Sequence, residues 1–210
     1  MNAVAEALLP GRAPDVGCAV EASLTEPVTE EDRRDLAAAR TGDEAAFARL
    51  IGRYEHLVHA QMLRFSRDPV VCRELVQDVF VEVYYSLGSF RGQAPFLHWL
   101  RRVATRTGYR YWTREARTRR IQSAVEAEPA PRHAPPATPS DAAALLFEIL
   151  AQLPAKDRLV LTLFYLDQCP AGEIAERAGW SETLVRVRLH RARNRLKKLI
   201  ESTPAWRDAL

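Results

Sequence analysis

Apolar residues recur in this chain at intervals of three and four over most of its length. Residues so spaced lie on one face of an α-helix, whereas a strand needs alternation at intervals of two. The pattern covers residues 47–58 and 75–84, starts again at Phe96, and returns over 145–153, 156–166, 171–178 and a long final segment. Strand-like alternation never persists, so the sequence predicts an all-α fold.

A proline-rich segment interrupts this pattern. Residues 125–140 read VEAEPAPRHAPPATPS and hold five of the 13 prolines without any apolar periodicity. This composition is typical of an extended, flexible linker. We therefore expect two small helical domains, at 38–115 and 141–201, joined by a linker at 116–140. An acidic N-terminal extension (1–37) and a short tail (202–210) complete the chain.

Charge is distributed unevenly along the chain, whose net charge is only +3. Residues 1–37 contain eight acids and three arginines. Residues 101–120 contain eight arginines and one acid, and residues 181–198 contain five arginines, two lysines and one acid. Basic blocks of this kind indicate a polyanionic partner. The acidic extension is interpreted as a disordered, solubilising tail, with screening of the basic faces as a second hypothesis.

Cysteine usage and hydropathy point to the cytoplasm. Cys18, Cys72 and Cys169 stand far apart with no CxxC motif, which suits a reducing compartment. A lone cysteine is more often a buried small residue than an oxidation sensor. We predict no export signal, no membrane span, no cofactor and no metal site. His56 and His59 could form half a metal site, but a surface role is favoured because cysteine partners are lacking.

A spacing typical of a helix-turn-helix precedes the last basic block. Ala175 is followed by Gly179 four residues later and by Val185 six residues after that. Two steeply crossing helices need a small residue at their contact, a glycine able to adopt positive φ, and an apolar anchor on the second helix. Many helical hairpins match this spacing by chance, so it decides little alone.

The following segment, SETLVRVRLHRAR, separates into distinct faces when projected onto a helix at about 100° per residue. The face centred on Val185 also holds Leu189, Ala192, Leu196 and Leu199. The opposite face holds Thr183, Arg186, Val187, His190 and Asn194. One flank holds Arg188, Arg191 and Arg195, and the other holds Arg193 and Lys197. Arginine forks suit guanine edges and phosphates, so we predict a packing face, a DNA-reading face and phosphate-binding flanks. The alternative, a solvated basic face, is disfavoured by the preceding turn and by the scarcity of acids.

Longer stretches of both domains resemble one protein family. The second domain contains LPAKDRLVLTLFYLDQCPAGEIAERAGWSETLVRVRLHRARNRL, which is similar to region four of bacterial sigma factors of the extracytoplasmic-function (ECF) group, with RLHRAR as a usual signature. The first domain contains ELVQDVFVEVYYSLGSFRGQAPFLHWLRRVA, which resembles region two. The two matches occur in the family's order and together extend over about residues 43–200.

The resemblance implies a non-catalytic initiation subunit that binds core RNA polymerase, selects promoters and helps to open DNA. Its partners would be the clamp helices of the largest polymerase subunit, the flap of the second largest, promoter DNA and an anti-sigma factor. The polymerase-binding residues would be Glu74, Gln77 and Asp78. The minus-ten element would be bound by Phe90, Arg91, Gln93, Phe96, Arg102, Arg106, Tyr109 and Arg110. The upstream element would be bound by Ser181, Thr183, Arg186, Val187, Arg188, His190 and Arg191.

Other interpretations remain open at several of these positions. Glu74, Asp78 and Glu82 recur every fourth residue, and such an acidic ridge is often only solvated. The spacing of Phe96 and Trp99 also fits core packing. A helix-turn-helix regulator that does not associate with polymerase is the alternative function, and an enzyme is disfavoured because no nucleophile constellation or phosphate loop is present. Departures from the family pattern include Thr183 for glycine, Arg106 for asparagine, and Pro170 and Val187 for serine, so promoter sequences of relatives do not transfer.

Overall fold

A computed structural model describes residues 29–125 and 139–203. The helices are α1 (Glu30–Arg40), α2 (Glu44–Met62), α3 (Pro69–Ser86), α4 (Phe96–Val125), α5 (Pro139–Ala151), α6 (Ala155–Leu161), α7 (Ala171–Ala178) and α8 (Glu182–Ser202). A 3₁₀ turn at Leu87–Ser89 follows α3, and a π-helical turn at Thr162–Leu166 extends α6. No strand occurs in either described range, which confirms the predicted all-α class.

Several helices begin where a polar side chain caps the backbone. The carboxylate of Asp43 accepts a hydrogen bond from the N–H of Ala46 at 3.0 Å, at the start of α2. Asp68 does the same for α3, accepting from Val70 at 2.8 Å, and Pro69 follows as the first helical residue. Proline fits there because its missing N–H has no intrahelical partner at that position. These caps fix the helix starts that hydrophobic periodicity leaves approximate.

Helix α1 corrects the prediction of a disordered extension up to residue 37. The hydroxyl of Thr29 accepts a hydrogen bond from the N–H of Asp32 at 3.1 Å, and the helix runs on to Arg40. Leu36 and Ala39 are buried where α1 packs on α2. Residues 29–37 therefore belong to the first domain, while residues 1–28 of the predicted extension lie outside the described residues.

Two acids of α1 are tied to basic residues of α2. Asp35 accepts hydrogen bonds from Arg49 and Arg53, each with an N–O distance of 2.6 Å. Asp32 lies 3.0 Å from the Nε atom of Arg53 and accepts a hydrogen bond from the hydroxyl of Tyr54 at 2.8 Å. The two guanidinium groups hold the pKa of Asp35 below its ordinary value. Asp32 and Asp35, which the sequence predicts as part of an acidic tail, thus attach α1 to α2.

The first compact unit comprises residues 29–111 of the described chain. Its core consists of apolar side chains from all four helices and the segment after α2: Leu36, Leu50, Val58, Met62, Phe65, Leu75, Val79, Val83, Leu100 and Ala104. The Nε2 group of Gln61 donates to Thr105 Oγ1 at 3.0 Å, which joins α2 to the buried side of α4. Each fully buried aliphatic or aromatic side chain contributes about 1.5–3 kcal/mol, so this core fixes the exposed faces of α3 and α4.

Helix α4 is longer than the predicted first domain. It has 30 residues and remains helical through the first ten positions of the expected linker, 116–125. The boundary between the two compact units falls within this helix, after residue 111. Residues 126–138, the rest of the predicted linker, lie outside the described residues.

The second compact unit contains residues 112–125 and 139–203 of the described chain. Trp112 is buried, with the guanidinium carbon of Arg158 lying 3.9 Å from its ring centroid. Helix α6 packs along α8, and α7 crosses the start of α8. The core is formed by Ile149, Leu159, Val160, Leu161, Leu163, Ile174, Val185, Leu189 and Ala192. None of the described helices has the length and apolar character that a membrane crossing requires.

Candidate nucleic-acid interface

The turn between α7 and α8 has the geometry that the sequence predicts. Gly179 adopts a φ of 74°, and its N–H donates to the carbonyl of Ala175 at 2.9 Å. The hydroxyl of Ser181 then caps α8 by accepting from the N–H of Leu184 at 3.3 Å. Ala175 and Val185 are both buried at the helix contact. The residue types at these positions therefore form a helix-turn-helix, and α8 is its second helix.

Helix α8 separates into the faces predicted from its projection. Val185, Leu189, Ala192 and Leu196 are buried. The residues expected to read DNA are all exposed: Thr183, Arg186, Val187, His190 and Asn194. Ser181 and Arg191, which the resemblance adds to this set, are also exposed. Arg186 is paired with Glu182, but both side chains are exposed to solvent. Such a pair contributes little free energy, so Arg186 can give up Glu182 for a contact with DNA.

Arg188 requires a correction. Its Nη1 group donates at 2.9 Å to Asp157, whose side chain is 0% exposed, and only 24% of the Arg188 side chain is accessible. Arg195 pairs with the other oxygen of the same carboxylate. Buried carboxylates require such partners because desolvation of an unpaired charge is costly. Arg188 and Arg195 thus hold α8 on α6, so the structure favours a structural role for Arg188 over the predicted contact with the upstream DNA element.

A third cation on the predicted flanks, Arg193, also has an internal partner. The Nε group of Arg193 donates to the hydroxyl of Tyr165 at 2.8 Å, and its guanidinium carbon lies 5.0 Å from the ring centroid of Phe164. Tyr165 and Asp157 could not be identified as partners of α8 from the sequence, because both precede α8 by many residues. The available signal was an acid, Asp157, just before the apolar residues of α6.

The loop between α3 and α4 divides its residues between surface and core. Arg91 and Gln93 are exposed on either side of Gly92, which has a φ of 70°. Phe90 and Phe96 are 7% and 2% exposed, with ring centroids 5.5 Å apart. The ring of Phe96 has no exposed face for stacking on a base, whereas Phe90 also lines a cleft formed with α1. The structure therefore favours a packing role for Phe96, and Trp99, half-buried against both rings, joins this cluster.

Three arginines follow one another at intervals of four along α4. Arg106 is exposed and Arg102 half-buried, and neither makes an ion pair within residues 29–125 and 139–203. Arg110 is exposed but paired at 2.8 Å with Glu82 of α3. Tyr109 lies half-buried beside them. The arrangement presents a row of cations next to the loop. Glu82, which the sequence places on the acidic ridge with Glu74 and Asp78, instead neutralises Arg110.

The residues predicted to bind polymerase share the outer face of α3. Glu74, Gln77 and Asp78 are all exposed, while the buried Leu75 and Val79 anchor the opposite side of the helix. A groove between α2 and α3 adjoins Gln77. Its apolar lining includes side chains that are not among the predicted polymerase-binding residues: Phe47, Ile51, Val81, Tyr84 and Tyr85. Tyr85 is 82% exposed. An acidic face beside an exposed apolar groove is suited to a protein partner.

Sequence models of one family match both units. The model described as Sigma-70 region 2 matches residues 50–118, and the model described as Sigma-70, region 4 matches residues 143–196. RNA polymerase sigma-H factor of Pseudomonas aeruginosa is 30% identical over 192 residues, which cover 86% of this chain and 98% of that protein. The chain belongs to the sigma-70 family of RNA polymerase sigma factors.

Other relatives place the chain within the ECF group. ECF RNA polymerase sigma-E factor of Haemophilus influenzae is 30% identical over 173 residues, covering 76% of this chain and 90% of that protein. The probable RNA polymerase sigma factor RfaY of Xanthomonas campestris pv. campestris is also 30% identical. The aligned part covers 76% of this chain but only 41% of RfaY, so the match spans less than half of that relative.

Solved structures agree with the region-two and region-four assignments. The structure of CnrH in complex with the cytosolic domain of CnrY is similar with a TM-score of 0.54 and 25% identity, covering 82% of this chain and 99% of that chain. Sigma factor RpoE of Bartonella quintana, in complex with the anti-sigma factor NepR, shares the fold with a TM-score of 0.52 and 21% identity. This match covers 74% of this chain and 96% of that chain.

The cysteines and histidines noted in the sequence lie in ordinary environments. Cys72, in region two, and Cys169, in region four, are buried. Burial raises the pKa of the Cys72 thiol, which disfavours the reactive thiolate. His56 and His59 are exposed on α2. Within the described ranges, no group of three His, Cys, Asp or Glu side chains is close enough to hold a metal ion. Cys18 lies outside those ranges.

Proposed function

We propose that this ECF sigma factor binds core RNA polymerase, directs it to specific promoters and assists in opening the DNA. The exposed reading face of α8 carries this proposal. Thr183, Arg186, Val187 and His190 project together from a helix whose opposite face is buried. A recognition helix places the residues of its first turns in the major groove, and these four side chains belong to the first turns of α8.

Region four would read the upstream promoter element. Arg186 supplies a planar fork that matches a guanine edge, while Val187 can contact a thymine methyl group. Ser181 and Thr183 offer hydroxyl groups, and Arg191 supplies a cation for a phosphate at the edge of this face. Arg188 is left out of this contact set because it neutralises Asp157.

Region two would bind the minus-ten element as single-stranded DNA. Arg91 and Gln93 present polar groups from the loop, and Arg102, Arg106 and Arg110 form the adjacent row of cations. Binding of single strands commonly combines such a positive track with groups that hold individual bases. Tyr109 lies within this row in sequence, between Arg106 and Arg110, and is half-buried, whereas Phe96 lies in the core.

Protein partners would use surfaces of both regions. Glu74, Gln77 and Asp78 are proposed to contact the clamp helices of the largest polymerase subunit, and region four to contact the flap of the second largest. Both solved relatives are in complexes, one of them with a protein named as an anti-sigma factor. We therefore infer a similar inhibitor for this chain. The role is non-catalytic and cytoplasmic, since polymerase supplies the chemistry, and it needs no cofactor or metal.

Reconstituted initiation tests this function. Purified chain is mixed with core RNA polymerase, and transcripts from a library of genomic fragments are sequenced at their 5′ ends. We expect initiation at a restricted set of sites that core polymerase alone does not use. The Glu74→Ala/Asp78→Ala variant should lose initiation together with binding to core, whereas Glu176→Ala, which changes an exposed acid of α7, should retain both.

The alternative function predicts a different result. A helix-turn-helix regulator that acts without polymerase would bind specific genomic fragments but would not associate with core. Specific DNA binding without comigration with core polymerase would therefore contradict the proposed function.

A further inference from the structure

We propose that α1 forms one wall of a cleft that binds the sugar-phosphate backbone of single-stranded DNA, with Arg33 and Arg40 as phosphate ligands. The inference rests on the proposed function and extends it to a new element. The region-two match begins at residue 50, so α1 lies outside the matched segment. The first described helix would thereby become part of the DNA-binding surface.

The cleft lies between α1 and the loop that precedes α4. It has a volume of about 400 Å³. Helix α1 contributes Arg33, Leu36 and Arg40, and the loop contributes Arg91, Gln93 and Pro95. A cavity of this size matches the concave sites that proteins use for small ligands, so it admits a segment of one strand and excludes a duplex.

The charge of the cleft fits an anionic occupant. Its lining contains three arginines and no acid. Arg40 and Arg91 make no ion pair within residues 29–125 and 139–203. Arg33 lies 3.2 Å from Glu30, but both side chains are about two-thirds exposed. Exposed pairs of this kind contribute little, so a phosphate can replace Glu30 as the partner of Arg33.

The adjacent face of α1 holds the cleft wall in place. Asp32 and Asp35 are buried in the ion-pair network with Arg49 and Arg53 of α2. Positions 33, 36 and 40 are separated by three and four residues, so they share the neighbouring face of the helix. The arginines therefore project from a fixed helix, which lowers the entropic cost of binding a strand.

The loop residues that line the cleft indicate that its occupant is the opened minus-ten strand. The cleft includes Arg91 and Gln93, the loop residues proposed to meet the opened minus-ten strand. A strand bound there has its backbone next to Arg33 and Arg40 as it leaves the loop. The three arginines make the cleft a continuation of the cationic path along α4 rather than a separate site.

The test compares two arginines of the same helix. Arg40 lines the cleft, whereas Arg34 is exposed but does not line it. Full-length wild type, Arg40→Ala, Arg40→Lys and Arg34→Ala are titrated with a fluorescein-labelled thymidine 12-mer and with a duplex of about the same length. Fluorescence anisotropy is measured at salt concentrations from about 50 to 200 mM.

Loss of one phosphate contact lowers the slope of log affinity against log salt concentration for a single strand by about 0.7. The ratio of wild-type affinity to Arg40→Ala affinity should therefore fall about 2.6-fold over this fourfold range of salt. Arg40→Lys should retain the wild-type slope, and Arg34→Ala should bind as wild type does. The proposed role of the cleft would be wrong if Arg40→Ala and Arg34→Ala weakened single-strand binding equally. It would also be wrong if Arg40→Ala weakened binding to the duplex and to the single strand equally. A defect of Arg40→Ala confined to core polymerase binding would assign the cleft to an acidic protein segment and also overturn it.

A parallel measurement separates this inference from the proposed function. Wild-type chain is assayed with core polymerase for initiation on genomic fragments. Absence of initiation contradicts the sigma-factor function itself. Normal initiation, combined with unchanged single-strand binding by Arg40→Ala, contradicts only the role of α1.

Discussion

Gly108 lies where the backbone of α4 passes closest to the ring of Phe65. A Cβ atom added at this position would lie 2.4 Å from the ring, and Phe65 is only 3% exposed. The ring therefore has no solvent space into which to move. We expect Gly108→Ala to lower the free energy of unfolding by about 1–3 kcal/mol, the usual cost of overpacking. Urea unfolding followed by circular dichroism measures this change.

Gly52 provides the matched control. It lies within α2, and a Cβ atom there would meet nothing within 4 Å. Gly52→Ala should raise the free energy of unfolding by about 0.5–1 kcal/mol, because alanine loses less backbone entropy in a helix. A gain of similar size for Gly108→Ala would show that the ring of Phe65 is not fixed.

Arg186 should determine promoter choice. Its side chain is 72% exposed on the reading face, whereas Lys197 is exposed farther along α8. Arg186→Ala should change the ranking of promoters in reconstituted initiation, with about 1–3 kcal/mol lost where a guanine is read. Lys197→Ala should weaken binding to all promoters alike and more strongly at low salt. Equal loss on every promoter for Arg186→Ala would remove its reading role.

Residue-level prediction from sequence succeeds for apolar positions and fails for charge partners. Val185 and Leu189 were identifiable because helical periodicity fixes which side is buried. The partner of Arg188 was not, because Asp157 lies 31 residues earlier and meets it only after folding. Phe96 illustrates a related limit, since an aromatic residue that can stack on a base can equally pack in a core.

At the scale of elements, α1 is held by its acids. The pKa of Asp35 is lowered by Arg49 and Arg53, so its stabilising contribution is complete above the unfolded value of about 3.9 and is lost as the pH falls through the folded value. Asp35→Asn should be less stable than wild type at neutral pH, and the difference should shrink below about pH 4. Thermal unfolding at several pH values measures both effects.

An exposed acid of the same helix serves as the control. Glu31→Gln changes a side chain in solvent at the start of α1 and should follow the wild-type pH dependence. A pH-independent difference between Asp35→Asn and wild type would show that the ion pairs do not hold α1.

Helix α8 depends on a single buried carboxylate. Asp157 is fully buried and accepts from both Arg188 and Arg195. Asp157→Asn should cost about 3 kcal/mol, because it leaves cations at the α6–α8 contact without their counter-charge. Urea unfolding measures the loss, and Glu176→Gln, an exposed change on α7, should be neutral. A cost below about 0.5 kcal/mol would mean that Arg188 and Arg195 find other partners.

Element boundaries were less predictable than element types. Helices α7 and α8 begin and end close to the predicted positions because Gly179 and the Ser181 cap mark the turn between them, whereas α5 begins at Pro139, before the apolar pattern that starts at 145. The sequence predicts a tail over most of α1 because four of the first six residues of this helix are acids. Helix α4 extends beyond the predicted domain boundary because its polar C-terminal half carries no helix stop. In both cases hydrophobic periodicity does not set the end of the helix, which depends on tertiary contacts or on exposed residues with high helix propensity.

At the scale of the whole molecule, the order of the two sigma regions could be predicted from the sequence, but the role of the acidic N-terminal extension could not. Residues 1–28 contain four acids and one arginine. If they screen the basic faces, deletion of residues 1–28 should increase the affinity of the free chain for DNA at low salt, with the gain disappearing at high salt. Anisotropy titrations of full-length and truncated chains test this, and unchanged affinity would leave only a solubilising role.

The truncation must end before α1. Deletion through residue 40 would remove Asp32 and Asp35 together with their contacts to Arg49 and Arg53. It would therefore destabilise the first unit as well as change the charge. Comparison of deletions ending at residues 28 and 40 separates electrostatic screening from structural support, since only the longer one should lower the thermal unfolding midpoint.

The attachment of α8 through Asp157 has a consequence for how promoter preference can change over evolution. Arg188 and Arg195 are seven residues apart, about two helical turns, and one carboxylate holds both. Positions 183, 186, 187 and 190 take no part in that attachment. Mutations at these four positions can therefore accumulate without a compensating change in the interior, and duplicated copies of the gene can diverge in target choice while keeping the same scaffold.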